Sequence, residues 1–550
     1  MSCGVNTGSQ RRRQTRLAGD YVDYTYDAAG QLKTAMGKES GGAMNRLAER
    51  FGYVYDAGGN LQYRTNNALV QSFGVDNVNQ LTTVSRSGKL TVAGGTTVAA
   101  TSVTVKDNGN SAVAATLYGD KTFARLGVSL LDGNNTFTAV AQDSYGRGDT
   151  NAVTLNLPAS VTYTYDDNGN LVTDGQRFFG YDDENQLITV IVTNGVNNST
   201  LSRFAYDGFG RRRVRTECVW QNGGWATNAL VRYVHDGMVV LQERDGNNLL
   251  TVTYTRGRDL SGSLQGAGGI GGLLSRTDQT TPTWSHAYYQ ADGNGNVTCL
   301  INEKQAVVAR YVYEPFGNVL SMSGPLAEVN LYRFSSKEAH PVTGLVYYGF
   351  RFYDPNLQRW LNHDPLASQP LLLTLHRRNG ASRTRQFPGE LVAGSNLYRF
   401  VGNNPIRFVD PYGLDYGDWW DVRTWFNSGF TESWSDQANS IGQTLGDLLA
   451  GNWDNFANNY DDSTLGQAEA AGPGVHKATK ICVGTATVAT AAAASLMAVE
   501  AGTGFRIEVH GTHGWTLPHL QGIQGPGWGQ TIWRFPPHSW TPGWWTELLK

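Results

Sequence analysis

One short pattern recurs along this chain, and few folds accommodate it. Tyr24-Thr25-Tyr26-Asp27-Ala28-Ala29-Gly30-Gln31-Leu32 returns as Tyr53-Val54-Tyr55-Asp56-Ala57-Gly58-Gly59-Asn60-Leu61, and again as Tyr163 through Leu171. Drifted copies begin at Tyr181, Phe204 and Tyr311. Tyr-x-Tyr alternates with period two, which places both rings on one face of a strand. The Asp accepts hydrogen bonds from nearby backbone N–H groups, and Gly three residues later suits a tight turn. Leu or Val then opens a return strand, so each copy is a hairpin. A lone hairpin is marginal in water, whereas a stack of them buries shared faces. The expectation is a mainly β chain built as a long twisted ribbon of hairpins.

Composition agrees with this and removes other classes. Of 550 residues, 66 are Gly and only 17 are Pro, so Gly, Asn and Asp make the turns. The formal net charge of −3 provides no bulk attraction to nucleic acid or anionic membrane. Cys3, Cys218, Cys299 and Cys482 are scattered and suggest neither a disulfide framework nor a zinc site. Basic residues near the N-terminus are followed by no apolar segment, so no signal peptide is read there. The array starts in mid-pattern, which leaves a fragment and a leaderless export substrate as two open readings.

Residues 88–158 interrupt the repeat. Leu90–Val92, Ser102–Val105, Phe123–Val128, Asn135–Val140 and Val153–Leu157 alternate as short strands at turn-punctuated intervals, which predicts a small β-sandwich. It resembles bacterial Ig-like modules. A spacer role is preferred over glycan binding. Residues 261–275 are Gly-rich but have neither the Gly-Lys-Ser/Thr ending nor the strand-then-helix context of a phosphate loop, and are expected to be a flexible turn of the ribbon.

The repeats resemble the YD repeats of the Rhs family, which are shared with bacterial Rhs toxins, insecticidal toxin-complex C components and, more distantly, teneurins. Downstream, Leu331–Glu338, Thr343–Pro355, Arg359–Pro365, Asn396–Pro405 and Val409–Leu414 resemble the Rhs-associated core. The resemblance implies YD repeats over 1–87 and 159–325, a core over 326–414 ending in Asp410-Pro411-Tyr412-Gly413-Leu414, and a variable tail over 415–550. It also implies that the ribbon curls into an open shell or barrel. The ribbon is too short to enclose its own tail as a sealed capsule.

In many family members the core is an aspartyl autoprotease that cuts after this Leu and leaves the tail inside the shell. Two carboxylates sharing one proton carry such chemistry, one activating water while the other donates to the carbonyl. By resemblance the pair is Asp364 and Asp410, and the cut falls between Leu414 and Asp415. Asp354 is the alternative partner, with Arg351 or Arg359 nearby. Any Asp-Pro is equally a turn. Two departures stand out. Ala367 replaces a family Gly, and Asp364 and Asp410 lie 46 positions apart, about twice the family spacing. The surplus, 368–388, reads either as a looped-out insertion or as a garbled segment.

The tail is a different material, rich in Trp and acidic overall, which argues against a nuclease surface. Its first part has the period of an amphipathic helix, giving an α-containing tail. Residues 481–499 are uncharged and just long enough to cross a bilayer, although a buried helix suits their small side chains better. Glu508, His510, His513 and His519 are the tail's candidate catalytic groups, in a spacing that matches no zinc motif, and no cofactor is called for.

Two function classes follow. The first is the scaffold of a bacterial polymorphic toxin used against competing cells, exported or at the cell surface. Its own tail would be the cargo, with an immunity protein and a secretion apparatus as partners. The second is a surface or secreted protein that binds glycans or neighbouring cells. A degenerate fragment without activity is the third reading.

Overall fold

The computed structural model describes residues 10–414 apart from 17, 97, 194–198, 280–283, 366–370, 377–381 and 388–395. It adds the backbone of strands Ser2–Val5, Leu371–His376, Ser382–Phe387 and Gly417–Asp418. The described chain is mainly β. A 9-stranded antiparallel sheet runs from Ser2–Val5 through Leu81–Ser87 and ends on Ser160–Thr162. A 14-stranded antiparallel sheet follows in strict sequence order from Thr164–Tyr165 to Val319–Ser323. Among the described residues neither sheet closes on itself.

The turn chemistry explains why the strands are sequential. Asp27 Oδ1 accepts the N–H groups of Ala29 and Gln31, and Gly30 bonds back to the Asp27 carbonyl with φ +83°. Asp56, Asp166 and Asp207 repeat the arrangement. Just past each turn the return strand carries one extra residue, Lys33, Gln62, Val172 or Arg213, where the register shifts; such a bulge sharpens the twist. The same turn forms at Asp76, Asp245 and Asp292, where no Tyr-x-Tyr-Asp marks it.

Neighbouring repeats are tied together by the second Tyr of the motif. Tyr181 donates its hydroxyl to the Leu171 carbonyl at 3.1 Å, Tyr206 to Leu187 at 2.7 Å and Tyr313 to Val297 at 2.7 Å. Each acceptor opens an earlier return strand, so the phenol reaches back across the ladder. The first Tyr faces the interior, with Tyr24, Tyr53, Tyr163 and Tyr311 all buried.

Residues 90–157 form two smaller sheets, of four and three strands. They share a small core of Val103, Val105 and Phe123. The strands on either side pair with each other, Val84 opposite Val161, so this module occupies the loop of a single hairpin. Arg46, 3 % exposed as a side chain, bonds Asp120 of the module and Glu39 and Glu49 of the 9-stranded sheet.

The segment 326–414 has short strands among its described residues: a sheet of four between Glu338 and Trp360, the hairpin Leu371–His376 with Ser382–Phe387, and Phe408–Val409 paired with Gly417–Asp418. Its aromatic side chains Phe334, Tyr348, Tyr353, Trp360 and Phe400 join one hydrophobic cluster with Tyr53, Phe73 and Phe204 of the two large sheets. Tyr353 and Phe400 stack with centroids 3.8 Å apart.

Candidate functional site

The core segment acts first on the turns of the ribbon. A left-handed turn residue leaves the strand ladder, so its carbonyl needs another donor. Asn404 donates to the Gly30 carbonyl at 2.8 Å, Asn403 to Gly59 at 2.7 Å and Tyr398 to Gly169 at 2.8 Å. Asn362 reaches the Asn185 carbonyl and Ser336 the Gly295 carbonyl. These turns belong to both large sheets. Aspartate turns therefore build the ribbon, and the core's amides and hydroxyls then bind what the turns leave over.

Three loops of the same segment converge around Arg351, which is 3 % exposed. Its guanidinium lies over the Trp360 ring at 4.2 Å. Nε donates to the Gly413 carbonyl, Nη1 to the Leu397 carbonyl at 3.2 Å and Nη2 to Asp364 Oδ2 at 2.7 Å. The same Nη2 stands 3.8 Å from Asp410 Oδ2. Both carboxylates are buried, and the planar fork of an Arg suits this multiple recognition.

Asp410 ends the short strand Phe408–Val409. Its Oδ1 accepts N–H groups from Tyr412 at 3.1 Å, Gly413 at 2.6 Å and Leu414 at 3.2 Å. The chain is thereby folded into a tight turn around one carboxylate. Gly413 has φ +79°, and a Cβ there would meet Tyr348 Cβ and the Arg351 backbone at 3.2 Å. That close approach needs glycine. Phe350 N–H bonds the Tyr412 carbonyl at 3.1 Å.

The structure thus brings Asp364, Asp410, Arg351 and Leu414 together. The long spacing between the aspartates is no obstacle. Strands Leu371–His376 and Ser382–Phe387 pair as a hairpin of their own, and the core resumes at Asn396, with Trp360 N–H bonding the Tyr398 carbonyl at 2.9 Å. Within the surplus, residues 371–376 and 382–387 thus pair with each other, as a looped-out insertion would. Asp354 is placed elsewhere: it binds Arg177 at 2.7 Å and the N–H groups of Asn356 and Leu357. Arg359 lies over Tyr398 and donates to the Asn79 carbonyl. Asp415 lies outside the described residues, as do Glu508, His510, His513, His519 and the stretch 481–499.

One functional group went unpredicted. Lys337 is buried, and its Nζ donates to the Pro411 carbonyl at 2.5 Å and the Gly268 carbonyl at 2.8 Å. Burial pushes its ammonium down to about 7, with Asp410 pulling the other way. Only its place in a core motif drew attention to it in sequence. The Gly-rich stretch was read as a flexible turn, yet it is packed: Ala267 and Ile270 are buried, and the Asp259 carboxylate gathers the N–H groups of Ser261, Ala267 and Gly269.

Comparison with known proteins agrees with this architecture. Residues 283–406 match the family model described as Teneurin YD-shell. A double-stranded DNA deaminase toxin A from Burkholderia cenocepacia is 27% identical over 46% of this chain and 17% of its own length. The toxin subunit YenC2 of Yersinia entomophaga is 33% identical over 24% of this chain and 12% of its own. A tRNA3(Ser)-specific nuclease WapA from Bacillus spizizenii is 27% identical over 46% of this chain and 9% of its own. This chain therefore spans a small part of each relative. Among solved structures, the TcdB2-TccC3 crystal structure aligns with a TM-score of 0.34 at 17% identity, over 75% of this chain and 20% of that one. In its aspartate-turn repeats and in the core laid along them, the chain is similar to Rhs and YD-repeat proteins, and residues 283–406 carry the match to the YD-shell model.

Proposed function

We propose that this chain is the repeat-and-core scaffold of a bacterial polymorphic toxin, which presents the segment 415–550 as its effector and releases it by self-cleavage after Leu414. The observation that carries the reading is Arg351, whose one side chain holds Asp364, approaches Asp410 and binds the carbonyl next to Leu414. In the hydrolysis, one aspartate takes a proton from water as its oxygen adds to the Leu414 carbonyl carbon. The other donates a proton to the carbonyl oxygen. The aspartate that took the proton from water then passes it to the Asp415 nitrogen as the C–N bond breaks, and a hydroxyl of the collapsing diol returns a proton to the other, leaving a carboxyl group on Leu414 and an amine on Asp415. Burial around Trp360 and Tyr348 gives such a pair the low-dielectric surroundings in which two close carboxylates share a proton.

The relatives include a DNA deaminase toxin, a tRNA nuclease and a toxin subunit, so different effectors accompany similar scaffolds. By analogy the tail is the variable part, and the chain is exported, works beside further toxin components and is countered by an immunity protein. The proposed divisions are 1–87 and 159–325 for repeats, 88–158 for the module, 326–414 for the core and 415–550 for the tail.

A second reading, a glycan- or cell-contact protein, draws on the module. Its edge strand Gly148–Leu157 is exposed almost throughout, and Val153 and Leu155 are 45% and 48% exposed. Intact-mass measurement of the purified chain separates the two. Fragments meeting at Leu414 and Asp415, absent in Asp364→Asn and Asp410→Asn, support the toxin scaffold. A single uncut species of 60.0 kDa removes self-cleavage and leaves the binding reading.

A further inference from the structure

The segment after Asp410 is held from two sides, and the two grips come from different parts of the chain. Arg351 and Phe350 of the core hold Gly413 and Tyr412. On the other side stands the Gly-rich connection of the ribbon, between strands Leu250–Arg256 and Leu273–Gln279. Tyr412 donates its hydroxyl to the Gln265 carbonyl. Lys337 Nζ spans the gap between the Pro411 and Gly268 carbonyls. Gly268 sits at φ +60°, and a Cβ there would fall 2.0 Å from the Pro411 carbonyl oxygen and 2.8 Å from Lys337 Nζ. The two carbonyl oxygens are each within hydrogen-bond distance of one ammonium, so Lys337 joins the two segments directly.

Resting on the self-cleavage reading, we propose that Lys337 is a positioning residue that makes cleavage conditional on a finished ribbon. Its ammonium ties Pro411 to Gly268, so the Leu414–Asp415 bond is aligned with Asp364 and Asp410 only after the Gly-rich connection has docked. That connection takes its shape from the Asp259 turn and from the pairing of Arg256 with Leu273. Before this pairing forms, Lys337 has no second carbonyl to bind, and the junction hangs from one side. An effector would then be cut free only from a scaffold that has folded around this point.

Charge on Lys337 matters to this clamp. Asp410 and Asp259 face it and favour the ammonium, while Arg256 and burial oppose it. The rings of Tyr348 and Tyr412 lie 5.6 Å and 5.7 Å from Nζ. Arg212 and Glu338 line the same small cavity and pair with each other. With the ammonium pushed down to about 7, it dominates below that pH. Above it the neutral amine makes weaker bonds to the same carbonyls.

The test is synthesis of the full chain in a cell-free system, followed by the rate of appearance of the two fragments between pH 6 and pH 8.5. Wild type, Lys337→Arg, Lys337→Met, Gly268→Ala and Asp410→Asn are compared, with a thermal melt of each to confirm folding. The expected result is wild-type cleavage that slows above about pH 7. Lys337→Arg cleaves without that decline, because guanidinium keeps its charge. Lys337→Met and Gly268→Ala are slowed at least about tenfold, a loss of about 1.4 kcal/mol of alignment. Should Lys337→Met fail to fold, the pH profile of Lys337→Arg decides. Folded Lys337→Met that cuts at the wild-type rate, or a Lys337→Arg profile identical to wild type, overturns the clamp while leaving the aspartyl pair standing. A wild-type chain that never cuts while its melt shows it folded overturns both.

Discussion

The repeat ribbon and the core segment solve the same problem by opposite means. In the ribbon, the repeat turns are drawn together by their own aspartates, as at Asp27 and Asp166, whose carboxylates bond N–H groups two and four residues ahead. In the core, the partners are remote: Asn404 bonds Gly30, and Arg351 joins Asp364 to the carbonyl of Gly413. Local bonds build strands one after another with little loop-closure cost, while remote ones form only when the strands are already placed. A chemistry that must await folding is therefore better housed in the core than in a repeat.

The sharpest way to break this contrast is at Arg351. Replacement by Met leaves Asp364 and Asp410 buried without their shared cation, and loss of one partner from a buried pair costs about 3–5 kcal/mol. We expect a fall in thermal midpoint beyond that of any single turn mutant, together with loss of the two fragments on intact-mass analysis.

A pair of glycines separates turn geometry from core docking. Gly169 and Gly175 have φ of +80° and +83°, yet a Cβ on Gly169 would lie 2.4 Å from the His363 ring and one on Gly175 would meet nothing within 4 Å. Gly175→Ala should cost about 1 kcal/mol from backbone strain alone. Gly169→Ala should add about 1–3 kcal/mol by displacing the core. Equal urea midpoints for the two would show that the core does not bear on that turn.

Titration offers a third separation. Lys337 has its folded value lowered to about 7 from 10.5, so the unfolded chain binds the extra proton between those limits. Stability should therefore rise with pH from about 7 towards 10.5, and Lys337→Met should flatten that rise in urea titrations. The ribbon's buried tyrosines act oppositely. Burial raises Tyr53, Tyr206 and Tyr313 well above 10, so their contribution is present below pH 10 and is lost above it.

The smallest effect tests the link between repeats. Tyr206→Phe removes the bond to the Leu187 carbonyl and should lower stability by about 1 kcal/mol without altering fragment release.

Much of the ribbon was legible because its information is local. The Tyr-x-Tyr-Asp copies lie where strand, turn and return strand occur, and the alternation at Ser102–Val105 and Asn135–Val140 falls inside strands. Turns at Asp76, Asp245 and Asp292 escaped notice because the flanking aromatics are absent, although the carboxylate chemistry is the same. Arg351 was suspected only from its nearness to other motif residues. Its role rests on loops meeting in space, across an insertion that sequence spacing presented as an obstacle. Beyond its place in a core motif Lys337 carried no signal, since its partners here are backbone carbonyls contributed by residues 268 and 411.

Sequence alone determined the β class, the hairpin unit and the aspartate that shapes the turn of each Tyr-x-Tyr-Asp copy, because each depends on contacts within a few residues. Tertiary structure alone decided which carboxylates share a cation, which carbonyls the core binds and why Gly268 has no side chain. Those outcomes depend on distances between segments from 13 to 374 positions apart, and only the packed chain sets such distances.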